Sequence, residues 1–240
     1  GSLSTTMVQS INTKAIITLA SVIRRQSLLV PHVSVQTVSE LNYTALREYV
    51  DVVIFDKDNT LTGPYENEIH PLASSGLTSA LDVFGRDRIA ILSNSAGTQD
   101  DADYHDALEI EEALGIRVIR HDEKKPGGLD EVLKHFDLDD AAKICMVGDR
   151  ILTDIVFGNL HGMLTVHTLP LCQGEENSKD NWISAQIRWA ENTLLYAHPP
   201  RSKRYQDCKM EHKYWPGDQR APLHRILPNE SSENETQDDA

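Results

Sequence analysis

The sequence predicts a three-layer α/β fold, a parallel sheet with helices on both faces and no large cap domain, flanked by amphipathic helices. Two observations predict it. Between Val50 and Leu169, short β-branched runs alternate with stretches of helical periodicity, the pattern of βαβ units. Three of the four polar clusters in that region directly follow a strand-type run, and open parallel sheets bind ligands beyond the carboxyl ends of their strands.

Taken in order, Gly1-Ser2 reads as an expression remnant and residues 1–13 as flexible. Residues 14–49 read as an amphipathic helix and a lead-in. Ile16, Leu19, Ala20, Ile23 and Leu28 recur at helical spacing, Lys14, Arg24 and Arg25 lie elsewhere on the wheel, and Pro31 ends the helix. Two readings stay open for it: a helix packed on its own domain, or one lying on an anionic membrane surface, since no acid precedes Pro31.

The core spans residues 50–172. Val52–Phe55 is a buried strand, Leu72–Phe84 a helix, Arg88–Asn94 a strand, and Ala102–Leu114 a helix closed by Gly115. Ile116–Ile119 follows as a short strand, then a helix over Gly128–Phe136, a strand over Lys143–Gly148, a helix over Leu152–Leu160 and a strand over Met163–Leu169. The whole reads as a Rossmann-like sheet. Residues 173–228 hold one more amphipathic helix over 181–197, then a basic segment with Arg201, Lys203, Arg204, Lys209 and Lys213. Residues 229–240 are too polar to order.

Composition narrows the function. The chain has 240 residues, 40% hydrophobic and 25% charged, as in a soluble globular protein. No apolar run is long enough for a transmembrane helix. The net charge is −14, and residues 51–172 carry 23 acids against 10 bases, which argues against nucleic acid as a partner. Cys145, Cys172 and Cys208 lack metal-type spacing and cannot all pair, so a reducing compartment is the simpler expectation.

The four clusters carry the chemistry. Asp56-Lys57-Asp58-Asn59-Thr60 ends the first strand, Ser93-Asn94 ends the second, Lys124-Lys125-Pro126-Gly127 lies between elements, and Asp149 to Asp154 follows the Lys143–Gly148 strand. Close like-charged carboxylates repel unless a cation or a shared proton offsets them. Each cluster alone has a plainer explanation as a cap, a turn or a surface pair. All four in this order resemble the signature motifs of the haloacid dehalogenase superfamily of phosphotransferases.

That resemblance implies roles. Asp56 would attack phosphorus and form an aspartyl-phosphate, and Asp58 would protonate the leaving alkoxide and then activate water. Ser93 and Asn94 would hold phosphoryl oxygens, and Lys125, with Lys124 as the fallback, would offset charge developing in transfer. Mg²⁺ would be held by Asp56, Asp58, Asp149 and Asp154, the Asp58 backbone carbonyl being its ligand and Asp154 a support.

The intervals from Asp58 to Ser93 and from Asn94 to Lys125 each have room for one helix with loops, or a helix, a strand and loops. An uncapped site favours a macromolecule or a phosphate displayed at a membrane over an enclosed metabolite. The stretches "FDKDNTLTGPY", "ILSNSAG", "HDEKKPGG" and "VGDRILTDI" resemble, more narrowly, the mitochondrial phosphatidylglycerophosphate phosphatases of fungi and their bacterial and plant relatives. The resemblance implies removal of the terminal phosphate of that phospholipid on the route to cardiolipin, by a peripheral protein on the matrix side of the mitochondrial inner membrane. An uncapped phosphatase of soluble sugar phosphates or phosphoproteins and a non-catalytic membrane scaffold are the alternatives. Tyr65, Glu66 and His70 are the candidates for reading the glycerol.

Overall fold

The computed structural model describes residues 25–172 and 211–215. Six strands form one all-parallel sheet: β1 (Val33–Val35), β2 (Val52–Phe55), β3 (Ile89–Ile91), β4 (Arg117–Val118), β5 (Ile144–Gly148) and β6 (Leu164–Thr168). Their spatial order is β1-β6-β5-β2-β3-β4. Five helices join them: α1 (Tyr43–Leu46), α2 (Pro71–Phe84), α3 (His105–Leu114), α4 (Leu129–Phe136) and α5 (Val156–Leu160).

Alternation along the central strands makes the three layers. Val53, Phe55, Ile89, Ile91, Cys145 and Val147 share one core with Ala73, Leu77 and Ala80 of α2 and Ala107 and Ile110 of α3. Their neighbours Val52, Ile54, Ala90, Ile144 and Met146 pack on the opposite face with Val132 and Phe136 of α4 and Phe157 of α5. Successive side chains of a strand point to opposite faces, so a strand covered on both sides must be apolar throughout. That is why "VVIF" and "ICMV" are unbroken apolar runs. Cys145 belongs to this packing, and burial pushes its thiol pKa up.

The chain winds from β2 through β3 to β4, then returns to place β5 on the other side of β2. Val52–Phe55 pairs in register with Ile144–Val147. The switch point of the sheet therefore lies between the ends of β2 and β5, where Asp56 and Asp149 emerge.

Three elements differ from the sequence reading. The lead-in contributes β1, whose three residues pair with Val166, His167 and Thr168; a run that short carries little periodic signal. The 102–114 stretch is broken, because Asp103 and Tyr104 take left-handed conformations (φ 53° and 57°) and α3 begins only at His105. The helix expected from Leu152 opens as a π turn over Ile151–Ile155 and becomes α-helical at Val156.

Most of the 14–29 stretch and all of the 181–197 stretch lie outside the described residues, as do 1–13 and 229–240. The described end of the first forms a 3₁₀ turn, Gln26–Leu29, with Leu28 and Leu29 buried against Ile151, Ile155 and Val156. These two leucines pack on the protein's own body. Of the basic C-terminal residues, Lys213 pairs with Asp140 at 2.6 Å, and the others lie outside the described residues.

Candidate active site

Asp56 is the first residue past β2, its amide donating to the Val147 carbonyl at 2.8 Å. Asp149 is the first past β5 and is fully buried. The π turn then brings Asp154 back under both. Its amide and that of Ile155 both donate to the Arg150 carbonyl (2.9 and 3.3 Å), and its carboxylate accepts from the Arg150 amide at 3.1 Å. A Cβ on Gly148 would collide with the Asp154 carboxyl group, so only glycine allows this approach. Single wide turns of this kind recur at functional sites.

Lys125 enters from the loop after β4 and points into the same place. Its ammonium lies 2.6 Å from Asp56 Oδ1 and also bonds Asp154 Oδ1, with no exposed side-chain surface. Burial works against the charge on Lys125, but Asp154 and Asp56 outweigh it and raise its pKa. Burial raises the pKa of Asp56, with Lys125 opposing. Lys124 turns outward to a surface pair with Asp100 at 2.7 Å. The fallback lysine is thus far more exposed than Lys125, which alone reaches the carboxylates.

Asp56, Asp149 and Asp154 are all buried and each presents an oxygen within 4.8 Å of the others. A set of hard carboxylate oxygens fits a divalent cation such as Mg²⁺ or Ca²⁺. The carboxylate of Asp58 stands outside this group. It accepts from Lys57 Nζ at 2.8 Å and from the Tyr65 amide at 3.0 Å, and it lines an open cleft of about 210 Å³ with Tyr65, Ser95, Asp106 and Glu109.

Ser93 and Asn94 shape the loop after β3. The Ser93 hydroxyl accepts from the amides of Ser95 and Ala96 at 3.2 and 3.4 Å. The Asn94 side chain accepts from the backbone amide of Lys125 at 2.8 Å, so it links this loop to the lysine loop. Tyr65 reaches the cleft, with Glu66 exposed beside it, whereas His70 caps α2 by accepting from the Leu72 amide.

Two residues were invisible to sequence reasoning. His121 is buried between the loops, its Nε2 2.8 Å from the Ser93 carbonyl and its Nδ1 2.6 Å from the Glu123 carbonyl. Asp101 accepts from the amides of Gly97, Asp106 and Ala107 and fixes the Ser93 loop to the start of α3. Burial raises the Asp101 pKa, but these three bonds and Arg120 more than reverse it, leaving it lowered. Asp101 lies in no motif, and His121 opens the "HDEKKPGG" stretch without any signal of its own role.

A parallel sheet whose switch point gathers an aspartate from β2, another from β5 and a buried lysine defines the haloacid dehalogenase class of phosphotransferases. Residues 13–171 match the family model for mitochondrial phosphatidylglycerophosphate (PGP) phosphatases, and the chain belongs to that family. It is 44% identical over 191 residues to a chloroplastic and mitochondrial phosphatidylglycerophosphate phosphatase 1 of Arabidopsis thaliana, covering 78% of this chain and 53% of the relative. It is 41% identical over 186 residues to the chloroplastic counterpart of Chlamydomonas reinhardtii (73% and 66%). With a mitochondrial phosphatidylglycerophosphatase of Saccharomyces cerevisiae the identity is 33% over 140 residues, covering 57% of this chain and 75% of the relative. The chain thus spans about half the length of the first relative and about two thirds of the second. No solved structure matches it.

Proposed function

We propose that this protein hydrolyses the terminal phosphate of phosphatidylglycerophosphate to give phosphatidylglycerol, with Mg²⁺ bound, as a peripheral protein on the matrix side of the mitochondrial inner membrane. The observation that carries the chemistry is the buried contact of Lys125 with Asp56 and Asp154, beside Asp149, at the switch point of the sheet. Family membership and the names of the relatives support the substrate and the organelle.

In this reading an Asp56 carboxylate oxygen bonds to phosphorus as the bond to the glycerol oxygen breaks, leaving an aspartyl-phosphate. Asp58, at the cleft, gives the leaving oxygen its proton and then takes one from the water that cleaves the intermediate. Lys125 offsets the charge on the phosphoryl oxygens, and the Ser93–Asn94 loop presents donors to them. Mg²⁺, held by Asp56, Asp149 and the Asp58 carbonyl with Asp154 in support, would screen the carboxylates from a dianionic ester. Only α2, a 3₁₀ turn, β3 and their loops lie between Asp58 and Ser93, and only short helices with β4 between Asn94 and Lys125, so the cleft opens to the surface. An open site suits a headgroup that stays in a bilayer.

The test is phosphate release with Mg²⁺ from phosphatidylglycerophosphate in liposomes, beside glycerol 3-phosphate and an aryl phosphate. The expected result is strong preference for the lipid, abolished in Asp56→Asn with the fold retained. Turnover of the soluble esters alone would discard the lipid and keep the chemistry. Activity above a few per cent in Asp56→Asn would remove Asp56 from the role of nucleophile.

A further inference from the structure

The charge balance of the site leaves a cation to be explained. Asp56, Asp149 and Asp154 are three buried carboxylates, and Lys125 is the ammonium bonded among them. Asp58 has its own partner in Lys57. A divalent cation would bring the group near neutrality, and a phosphate monoester adds about two negative charges. A further positive group near Asp56 would therefore favour the bound ester.

Arg150 meets that need. It follows Asp149 directly, and its backbone amide is tied to Asp154, so its position is set by the same π turn that builds the site. Its guanidinium is close enough to Asp56 to lower that carboxyl's pKa, though less than burial raises it. Among the described residues the guanidinium makes no ion pair, and its Nε is buried without a hydrogen-bond partner. A buried N–H of a charged group without a partner is costly, and arginine is the side chain best shaped to clasp a phosphate through two parallel bonds. Lys124 and Lys57 already have carboxylate partners, so neither offers a comparable vacancy.

We propose that Arg150 binds an oxygen of the phosphoryl group being transferred, as a substrate-binding residue distinct from Lys125. The assignment rests on the phosphatase reading above and extends it. It points to the transferred phosphoryl group, because Arg150 stands between Asp149 and the Asp154 carboxylate that its amide meets, its Nε is buried without a partner, and it does not line the Asp58–Tyr65 cleft.

The experiment compares the full chain with Arg150→Gln and Arg150→Lys. KM is measured for phosphatidylglycerophosphate in mixed micelles and for an aryl phosphate, and the affinity for inorganic phosphate is measured by calorimetry with and without Mg²⁺. Loss of a charge-assisted bond predicts KM rising about 10- to 100-fold on both esters in Arg150→Gln, with phosphate binding weakened by a similar factor. Arg150→Lys keeps the charge and loses the fork, so it is expected to fall between; it also serves if the glutamine variant does not fold. Unchanged phosphate affinity in a folded variant would overturn the proposal, as would a loss confined to the lipid. Phosphate binding that depends on Arg150 in a wild-type protein inactive on every ester would leave this site standing and remove the phosphatase reading. An active wild type with an indistinguishable Arg150→Gln would do the reverse.

Discussion

At the scale of single residues, the site is built by close approach. Lys125 and Asp154 have no exposed side-chain surface, and Lys125 meets Asp154 and Asp56 at once. Gly148 makes this possible by leaving the space that the Asp154 carboxyl occupies. Gly148→Ala is therefore expected to destabilise the fold by about 1–3 kcal/mol, the usual cost of forcing a methyl into a packed site. Urea denaturation measures it, and a variant as stable as wild type would mean that Asp154 can move away freely. The DxD pair, the Ser-Asn pair and the final aspartates were legible because each sits at a strand end with a characteristic spacing. The distinction between Lys124 and Lys125 rested on resemblance alone, since adjacent residues on a loop have no periodicity to say which turns inward. Arg150 was hidden for a different reason: a charged residue after "GD" in a sequence looks like any surface arginine until its neighbours are in place.

At the scale of elements, one buried side chain joins β1 and the packing of Leu28 and Leu29 in fastening the N-terminal segment to the sheet. Asn159 of α5 donates to the carbonyls of Leu28 and Val30, both at 2.9 Å, and accepts from Thr165 Oγ1 at 2.9 Å. His32 adds to the same network, its Nδ1 accepting from the Thr165 amide at 3.1 Å. Asn159→Ala leaves these buried groups without partners and is expected to cost about 1–3 kcal/mol. Faster proteolysis near residue 30 should accompany it; resistance equal to wild type would mean that β1 alone holds the segment. His32 of this network and His167 of β6 also carry a pH dependence. Burial, and for His32 also the neighbouring His212, lowers the pKa of His32 and of His167 from 6.5 to about 4. Between those values the unfolded chain binds more protons than the folded one. Stability should thus be full above pH 6.5 and fall as the pH drops toward 4, with a loss of about 2 kcal/mol or more by pH 5. Equal urea midpoints at pH 7 and pH 5 would show that these rings are not held neutral.

At the scale of the whole molecule, charge is divided along the chain. Residues 51–172 hold 23 acids and 10 bases, while residues 1–50 hold 4 bases and 2 acids. An anionic membrane repels the first part and attracts the second, so membrane contact of the proposed kind must be made through the N-terminal stretch. Reversing the charge of Arg24 and Arg25 is expected to weaken sedimentation with anionic liposomes severalfold while leaving turnover of a soluble phosphate ester unchanged. Equal losses on both would assign that stretch to packing, as Leu28 and Leu29 already are. The α/β class, five of the six strands and the order of the four motifs were determined by the sequence itself, because apolar periodicity and strand-end chemistry are local properties of the chain. The edge strand Val33–Val35, the π turn that returns Asp154 to the site, and the inward turn of Lys125 rather than Lys124 were decided only by the tertiary structure. Each depends on which distant residues supply a pairing edge, a missing Cβ or a buried counter-charge, and those exist only once the sheet has closed around them.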